Sequence, residues 1–280
     1  MSTRSVRNRP SITRRVAVQA ARGTVVFVHG SMDRAASFRQ TADRLSEWSV
    51  IGYDRRGWGR SRTLGDRRTT LADHVGDLIE IAETVREPIL VGHSYGGLVA
   101  LAAAAARPEL TRGVVAFEPP VRWLPWWPDE APWERVVRES AAEGDPAAVA
   151  NALHRAVAGR PRLPSGSGRA DLAADGTALL TEMLDTTLDE PSFDPLDFDV
   201  PLVTAAGAES LPHHHETARR LADLVQAGRF VEVPRGRHVA HVTHPARFAE
   251  LVGHVEQLSR SAGTRSAQAS RPNGENHGST

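Results

Sequence analysis

Residues 89–97 read ILVGHSYGG, an apolar run that ends at a serine enclosed by glycines. The pattern Gly92-x-Ser94-x-Gly96 occurs by chance too often to identify a nucleophile, so the surrounding sequence has to decide. The residues before the serine form a continuous apolar segment of the kind found in buried parallel strands. The segment SYGGLVALAAAAARP, which begins at the serine, predicts a helix that ends before its proline. Ser94 is therefore predicted to lie at a sharp corner between a strand and a helix.

This corner has two interpretations. A side chain at the carboxyl edge of an open α/β sheet lies where such sheets bind ligands, which suits a nucleophile. Gly92, Gly96 and Gly97 suit a tight corner because neighbouring backbone leaves no room for a Cβ atom. The helix start also offers free N–H groups, the first of which belongs to Tyr95. The alternative is a structural turn without chemistry, and distant partner residues have to separate the two.

Segments typical of strands and helices alternate over most of the chain. The predicted strands are RVAVQ, TVVFVHG, WSVIGYD, PILVG, GVVAFE, PLVTAAG and RFVEVP, and further predicted helices are DRAASFRQTADRLSE, TTLADHVGDLIEIAETV, HHHETARRLADLVQ and HPARFAELVGHVEQL. This alternation predicts an α/β fold in which helices cover both faces of a mostly parallel sheet. Residues 121–197 contain only helix and loop signals and predict a helical lid inserted between two core strands.

The predicted organisation follows from these segments. Residues 16–120 and 198–258 form the core, and residues 121–197 form the lid. Residues 1–15 are basic and precede no apolar segment, so a flexible leader is predicted, with a transit peptide as the alternative. Residues 259–280 contain no large apolar residue and are predicted to be a disordered tail.

Composition excludes several classes of function. The formal net charge is zero, which gives no electrostatic case for nucleic acid or an anionic membrane as a partner. All 34 basic residues are arginine, so a lysine Schiff base is excluded, and the absence of cysteine excludes disulfides and zinc–thiolate sites. No apolar run is long enough to span a bilayer. We expect a cytoplasmic protein, and the oligomeric state stays open.

A candidate general base lies near the other end of the chain, in VPRGRHVAHVTHPARF. His238 follows a predicted strand, and a loop there can carry an imidazole over the serine. His241 and His244 follow at three and six residues, so a metal site has to be weighed. The run contains no carboxylate, and we predict neither a metal nor a cofactor. The run His213–His215 begins a helix, and capping and solvent exposure explain it best.

The strand VVFVHGSMD ends at His29 and Gly30, and the following loop can turn the N–H of Ser31 toward the Ser94 corner. Two N–H donors aimed at one developing oxyanion would carry much of the catalytic effect, and Tyr95 would supply the second. The alternative is a strand-end turn that simply requires glycine.

The segments FVHG, YDRRGWGRS, VGHSYGG and GRHVAHVTHP, in this order and spacing, resemble the α/β-hydrolase family from about Val16 to Leu258. The resemblance implies that Ser94 is the nucleophile and His238 the base. It also implies that the N–H groups of Ser31 and Tyr95 form the oxyanion hole. Dehalogenases and epoxide hydrolases of this fold carry aspartate where this chain carries serine. The serine therefore favours ester-type acyl chemistry.

The third triad member departs from the commonest pattern of the family. That pattern has an aspartate three residues after the glycine of PLVTAAGAES, where this chain has Ser210. Glu118, at the end of the strand GVVAFE, resembles the acid of some haloalkane dehalogenases, which precedes an aromatic and proline-rich lid entry. A carboxylate there can reach the far nitrogen of His238. We predict Glu118 as the acid and keep Glu209 as the alternative acid; a site with no working acid is the third possibility.

The predicted lid begins with RWLPWWPDEAPW, which holds four tryptophans. Large aromatic side chains at a pocket mouth favour an apolar acyl or alcohol group, although they can equally form the core of the lid. RPRLPSGSGRAD, further along, is predicted to be a flexible loop and a gate.

These observations predict a serine hydrolase of small apolar esters that works through an acyl-enzyme and a Ser-His-Glu triad. The alternatives are an acyltransferase or perhydrolase, a thioesterase, a C–C hydrolase, or a ligand-binding receptor with little turnover.

Overall fold

The structure is a computed structural model that describes residues 9–15, 22–66, 68–158 and 168–269. Its centre is a sheet whose seven described strands are arranged in the order β1-β3-β2-β4-β5-β6-β7. The strands are β1 (Ser11–Arg15), β2 (Thr24–Val28), β3 (Ser49–Asp54), β4 (Ile89–His93), β5 (Gly113–Phe117), β6 (Leu202–Gly207) and β7 (Gly228–Val233). β1 pairs with β3 in the antiparallel sense, and the other pairs are parallel. The predicted, mostly parallel sheet is confirmed.

Helices cover both faces of this sheet. The described helices are α1 (Arg39–Ala42), α2 (Leu71–Ala82), α3 (Tyr95–Ala106), α4 (Pro132–Ala142), α5 (Pro146–Ala158), α6 (Arg169–Met183), α7 (Pro212–Leu224), α8 (Ala240–Thr243) and α9 (Pro245–Ala269). Val26 and Val28 of β2 pack in the cluster that holds α2 and α3, and Val25 and Phe27 pack in the cluster that holds α9. Alternate side chains of one strand thus enter two cores, which explains why the parallel strands read as continuous apolar runs.

The predicted boundary of the leader at residue 15 is wrong, because β1 occupies Ser11–Arg15. Apolar and polar residues do not alternate in SITRR, so the pattern of this segment does not predict a strand. It pairs with β3, and the backbone N–H of Ser11 donates to the hydroxyl of Ser61 at 2.7 Å. Residues 1–8 and most of the predicted strand RVAVQ lie outside the described residues.

The predicted start of the tail at residue 259 is also wrong, because α9 continues to Ala269. The Ser259 hydroxyl donates to the carbonyl of Arg112 at 2.8 Å, and Arg260 pairs with Glu256. Once a helix is established, each further residue adds a backbone hydrogen bond, so α9 continues through a segment that contains poor helix formers such as serine and glycine. Residues 270–280 lie outside the described residues.

The helix predicted at DRAASFRQTADRLSE is much shorter than expected. Residues Ala35–Phe38 form a 3-10 turn, and α1 adds one further turn. The backbone N–H of Ala35 donates to Asp54 Oδ1 at 3.0 Å, so tertiary contacts fix the start of this segment.

The insert, residues 121–197, lies between β5 and β6, and its described residues carry α4, α5 and α6 with two 3-10 turns. Its apolar cluster extends to Met32 and Trp58 of the surrounding chain. Ion pairs fasten α6 to that part of the chain: Arg55–Glu182 at 2.6 Å, Arg34–Asp175 at 2.9 Å and Arg62–Asp171 at 2.9 Å. The predicted gate loop RPRLPSGSGRAD lies mostly in residues 159–167, which are outside the described residues. In the described part of the chain, no helix combines the length and apolarity needed to cross a bilayer.

Candidate active site

Ser94 lies at the corner between β4 and α3, as its sequence context predicts. Its φ of 52° and ψ of −127° are unusual for a residue with a side chain and indicate local strain. A Cβ atom on Gly92 would lie 2.2 Å from the carbonyl oxygen of Gly96, and one on Gly96 would lie 2.2 Å from that of Val28. Both positions therefore require glycine, and the corner presents Ser94 to the cavity described below.

His238 follows β7, and Glu118 follows β5, so both side chains reach the carboxyl edge of the sheet. The Nδ1–H of His238 donates to Glu118 Oε2 at 2.6 Å, since a carboxylate can only accept. The other oxygen, Glu118 Oε1, accepts the backbone N–H of Gly207 at 2.8 Å. Glu118 has a φ of 49°, a second backbone strain at this edge.

Glu118 is ionised in this setting although it is almost completely buried. Burial acts to raise its pKa, but neighbouring His214 and the hydrogen bond from His238 outweigh burial and lower the pKa to about 2. The carboxylate holds the proton of His238 on Nδ1 and leaves Nε2 with a lone pair.

Ser94 and His238 line one cavity of about 220 Å³. Among the described residues, no hydrogen bond joins Ser94 Oγ to His238. Catalytic hydrogen bonds are often long until substrate is bound, so this arrangement is compatible with a nucleophile and its base.

The alternative acid Glu209 lies elsewhere. It is solvent-exposed, and its carboxylate accepts from Arg237 Nε at 3.0 Å. Ser210, at the position where the family commonly has its acid, donates its backbone N–H to the carbonyl of Gly207 at 2.9 Å. The geometry favours Glu118 as the partner of His238.

Both predicted oxyanion-hole residues line the cavity. Among the described residues, the backbone N–H groups of Ser31 and Tyr95 donate to no acceptor, so both are available to a ligand. A Cβ atom on Gly30 would lie 2.9 Å from the Cβ of Ser94, which shows how closely this loop approaches the corner. The hydroxyl of Ser31 donates to Glu182 Oε2 at 2.5 Å.

The imidazole of His238 belongs to a histidine row that runs His214, His238, His93 and His241, with ring centroids 5.0, 4.8 and 4.0 Å apart. The Nε2–H of His93 donates to the carbonyl of His238 at 2.7 Å and so holds its backbone. At the far end, Asp33 Oδ2 lies 3.0 Å from His241 Nε2. The row packs the predicted base between two other rings.

One expectation about the histidines needs correction, and the structure also bears on the alternative of a metal site. His214 is 3% exposed, so solvent exposure does not explain the run His213–His215. The metal alternative for HVAHVTH also fails as a single site, because His238 faces Glu118, whereas His241 faces Asp33. His244 lies apart from both, with Nδ1 2.9 Å from the Thr243 hydroxyl. The burial of His214 at the site could be predicted from sequence only if it were known that α7 starts at the sheet edge where β6 ends.

A buried ion pair at the cavity is a feature that sequence reasoning missed. Arg55 is fully buried, and its Nη1 donates to Glu182 Oε1 at 2.6 Å. Trp58 Nε1–H donates to the same oxygen at 2.8 Å. The Arg55 backbone N–H donates to Nε2 of buried His29 at 2.8 Å. Glu182 lines the cavity, and these donors neutralise its charge there.

The four tryptophans of the insert have different environments. Trp133 lines the cavity. Trp123 packs edge-on against Phe193, Trp126 lies under the guanidinium of Arg220, and Trp127 packs against His213. Apolar walls complete the cavity and include Met32, Leu153, Val157, Leu179, Met183 and Leu188.

The chain is similar to known proteins. Residues 25–251 match the model of the Alpha/beta hydrolase family. The chain is 33% identical over 105 residues to the (R)-3-hydroxydecanoyl-ACP:CoA transacylase of Pseudomonas aeruginosa, which is 36% of this chain and 35% of that protein. It is 34% identical over 113 residues to the 2-(acetamidomethylene)succinate hydrolase of Mesorhizobium japonicum, which is 38% of this chain and 39% of that protein.

The matched stretches span little more than a third of these curated relatives. Among solved structures, the thermophilic esterase of Thermogutta terrifontis is similar with a TM-score of 0.67 at 20% sequence identity. That match covers 89% of this chain and 93% of the esterase chain. At this identity the similarity concerns the fold.

Proposed function

Because the chain belongs to the alpha/beta hydrolase family, we propose that it is a cofactor-independent serine hydrolase that cleaves small apolar esters. The observation that carries the proposal is the 2.6 Å contact between Glu118 and His238 beside strained Ser94 in one cavity. An orienting acid, a base with a free nitrogen and a hydroxyl at the cavity wall are the parts of a nucleophilic acyl-transfer site.

The proposed reaction has two halves. Ser94 Oγ attacks the ester carbonyl while His238 Nε2 takes its proton, and the N–H groups of Ser31 and Tyr95 stabilise the oxyanion. The intermediate collapses to an acyl-enzyme, and the alcohol leaves with the proton from His238. A water molecule then attacks the acyl-enzyme, His238 takes a proton from that water, and the acid is released as Ser94 regains its proton.

The substrate class is proposed from the walls of the cavity. Its volume of about 220 Å³ suits a small acyl or alcohol group, and its walls are largely apolar. We propose that the insert acts as the lid of this site, because its helices supply Trp133, Leu153 and Leu179 to the walls.

A fluorophosphonate probe and p-nitrophenyl butyrate test the proposal together. Ser94→Ala is expected to lose both covalent labelling and ester turnover while its melting temperature stays near that of the wild type. Ser261→Ala, on an exposed residue of α9, is the matched control and is expected to keep both activities. Substantial turnover or labelling by Ser94→Ala would show that another residue is the nucleophile.

Acyl transfer is the second candidate, because one of the matched relatives is named as a transacylase. It uses the same acyl-enzyme, with an alcohol or thiol in place of water. Product analysis in the presence of methanol or a small thiol separates the two reactions, since a transferase yields mainly the new ester or thioester. A ligand-binding receptor would yield neither product nor covalent labelling.

A further inference from the structure

A second group of donor atoms overlaps the proposed catalytic pair. Glu118, His214 and His238 each offer one ligand atom, and these atoms all lie within 4.8 Å of one another. His214 Nε2 lies 3.9 Å from Glu118 Oε2, the same oxygen that lies 2.6 Å from His238 Nδ1. Two imidazoles and one carboxylate form a donor set that Zn²⁺ accepts in tetrahedral sites with an open fourth position.

His214 is the residue that distinguishes this group from an ordinary hydrogen-bonded pair. It is 3% exposed, and neither ring nitrogen has a hydrogen-bond partner among the described residues. A buried polar group without a partner costs free energy that a ligand can recover. The ring also lines the cavity, which gives an ion a route from solvent.

The other three-residue group, Asp33, His93 and His241, is a weaker candidate. Its ligand atoms also lie within 4.8 Å of one another. However, His93 already donates through Nε2 to the His238 carbonyl, and Asp33 also accepts the Ser37 hydroxyl. In this group no histidine has both nitrogens free among the described residues.

We propose that Glu118, His214 and His238 bind Zn²⁺ as an inhibitory site of the enzyme. Zinc bonds to nitrogen and carboxylate oxygen are about 2.0–2.2 Å long. Tetrahedral ligand atoms are therefore roughly 3.3 Å apart. The distance from Glu118 Oε2 to His238 Nδ1 therefore has to increase from 2.6 Å, and the distance from Glu118 Oε2 to His214 Nε2 has to decrease from 3.9 Å. Each change is less than about 1 Å.

The inhibition follows from the tautomer of His238 and rests on the proposed function. When Nδ1 gives its lone pair to zinc, the proton of the neutral ring has to move to Nε2 through solvent. Nε2–H can no longer accept the proton of Ser94, and Glu118 is engaged by the metal. Zinc thus removes the base without touching the nucleophile. Removal of zinc by a chelator restores the active tautomer, so the chelated enzyme is fully active.

Direct binding is measured first, on a protein without a histidine tag and after treatment with EDTA. Zn²⁺ is titrated in competition with a chromophoric chelator into Ser94→Ala, His214→Phe and the control His244→Gln, whose ring lies outside the group. We expect one zinc per chain in Ser94→Ala and in the control. In His214→Phe, which keeps an aromatic ring but loses both nitrogens, affinity is expected to fall by at least about tenfold. Melting temperatures establish that each variant is folded.

Inhibition is measured separately on p-nitrophenyl butyrate, relative to the zinc-free rate of each protein. Zinc is expected to inhibit the wild type reversibly, and His214→Phe is expected to need at least about ten times more zinc for the same inhibition. Absence of binding to Ser94→Ala would overturn the proposal, as would equal zinc affinity in His214→Phe. Binding lost in His241→Phe but kept in His214→Phe would assign the ion to the Asp33 group and also overturn it. Because zinc binding is read without turnover, a protein that binds zinc but hydrolyses no ester would refute only the proposed function.

Discussion

Replacement of Glu118 by glutamine tests the predicted acid with almost no change in side-chain volume. One carboxylate oxygen accepts the Gly207 backbone N–H at 2.8 Å, and the other accepts His238 Nδ1–H at 2.6 Å. Glutamine has one oxygen, so its NH₂ group has to face one of these donors. If it faces His238, the ring adopts the tautomer with its proton on Nε2, which cannot accept the proton of Ser94.

The expected size of the effect follows from the loss of both tautomer and counter-charge. Replacement of a triad carboxylate by its amide typically lowers kcat on the order of 10⁴-fold. That factor corresponds to about 5 kcal/mol of transition-state stabilisation. KM is expected to change little, because Glu118 contacts the base rather than the acyl group in the proposed mechanism.

The assay compares kcat and KM for p-nitrophenyl butyrate in Glu118→Gln and in the matched control Glu209→Gln. Glu209 is exposed and paired with Arg237, so its variant is expected to retain most activity. Melting temperatures are measured first, so that loss of fold is not mistaken for loss of catalysis. A Glu118→Gln enzyme within tenfold of the wild type would refute the reasoning. An inactive Glu209→Gln together with an active Glu118→Gln would identify Glu209, which follows β6, as the acid.

Three further predictions concern stability and specificity. Burial lowers the pKa of His29 to about 3, whereas in the unfolded chain it is about 6.5, so only the unfolded chain gains this proton between these values. Unfolding free energy should therefore fall as the pH is lowered from about 6.5 toward 3, by up to about 1.4 kcal/mol per pH unit from His29 alone, and urea titrations that agree at pH 7 and pH 4.5 would contradict this. Arg55→Met leaves Glu182 buried without its main counter-charge and should cost about 3–5 kcal/mol in urea unfolding; a loss below about 1 kcal/mol would show that other donors suffice. Trp133→Ala should shift the preference among p-nitrophenyl esters toward longer acyl chains, measured as kcat/KM from acetate to octanoate, and the same shift in the control Trp126→Ala would refute a role for the cavity wall.

The parts of the site that the sequence predicts are those that depend on local rules. The Ser94 corner follows from glycines that no other residue could replace, and the fold follows from the alternation of apolar strands and helices. The contact of Glu118 with His238 is predictable because β5 and β7 end at the same sheet edge. The catalytic roles of these residues remain predictions.

The parts that the sequence does not predict depend on distant contacts. Glu182 meets Arg55 across 127 positions, and nothing in its neighbourhood marks it as part of the site. His214 is one of three consecutive histidines, and the start of α7 decides which of them faces inward. β1 is polar at the sheet edge, so its strand character comes from pairing with β3.

The ion pairs of α6 have a consequence for how a ligand enters. α6 is fastened along its length through Asp171, Asp175 and Glu182, so that side of the cavity is a fixed wall. Val242 of α8 lines the cavity and is 47% exposed, so the cavity opens to solvent beside α8. We therefore expect substrate to enter and product to leave beside α8. Substitutions at this opening and in the first turn of α4 can change which substrates fit. The ion pairs of α6 meanwhile hold the other wall, and with it the reacting groups, in place.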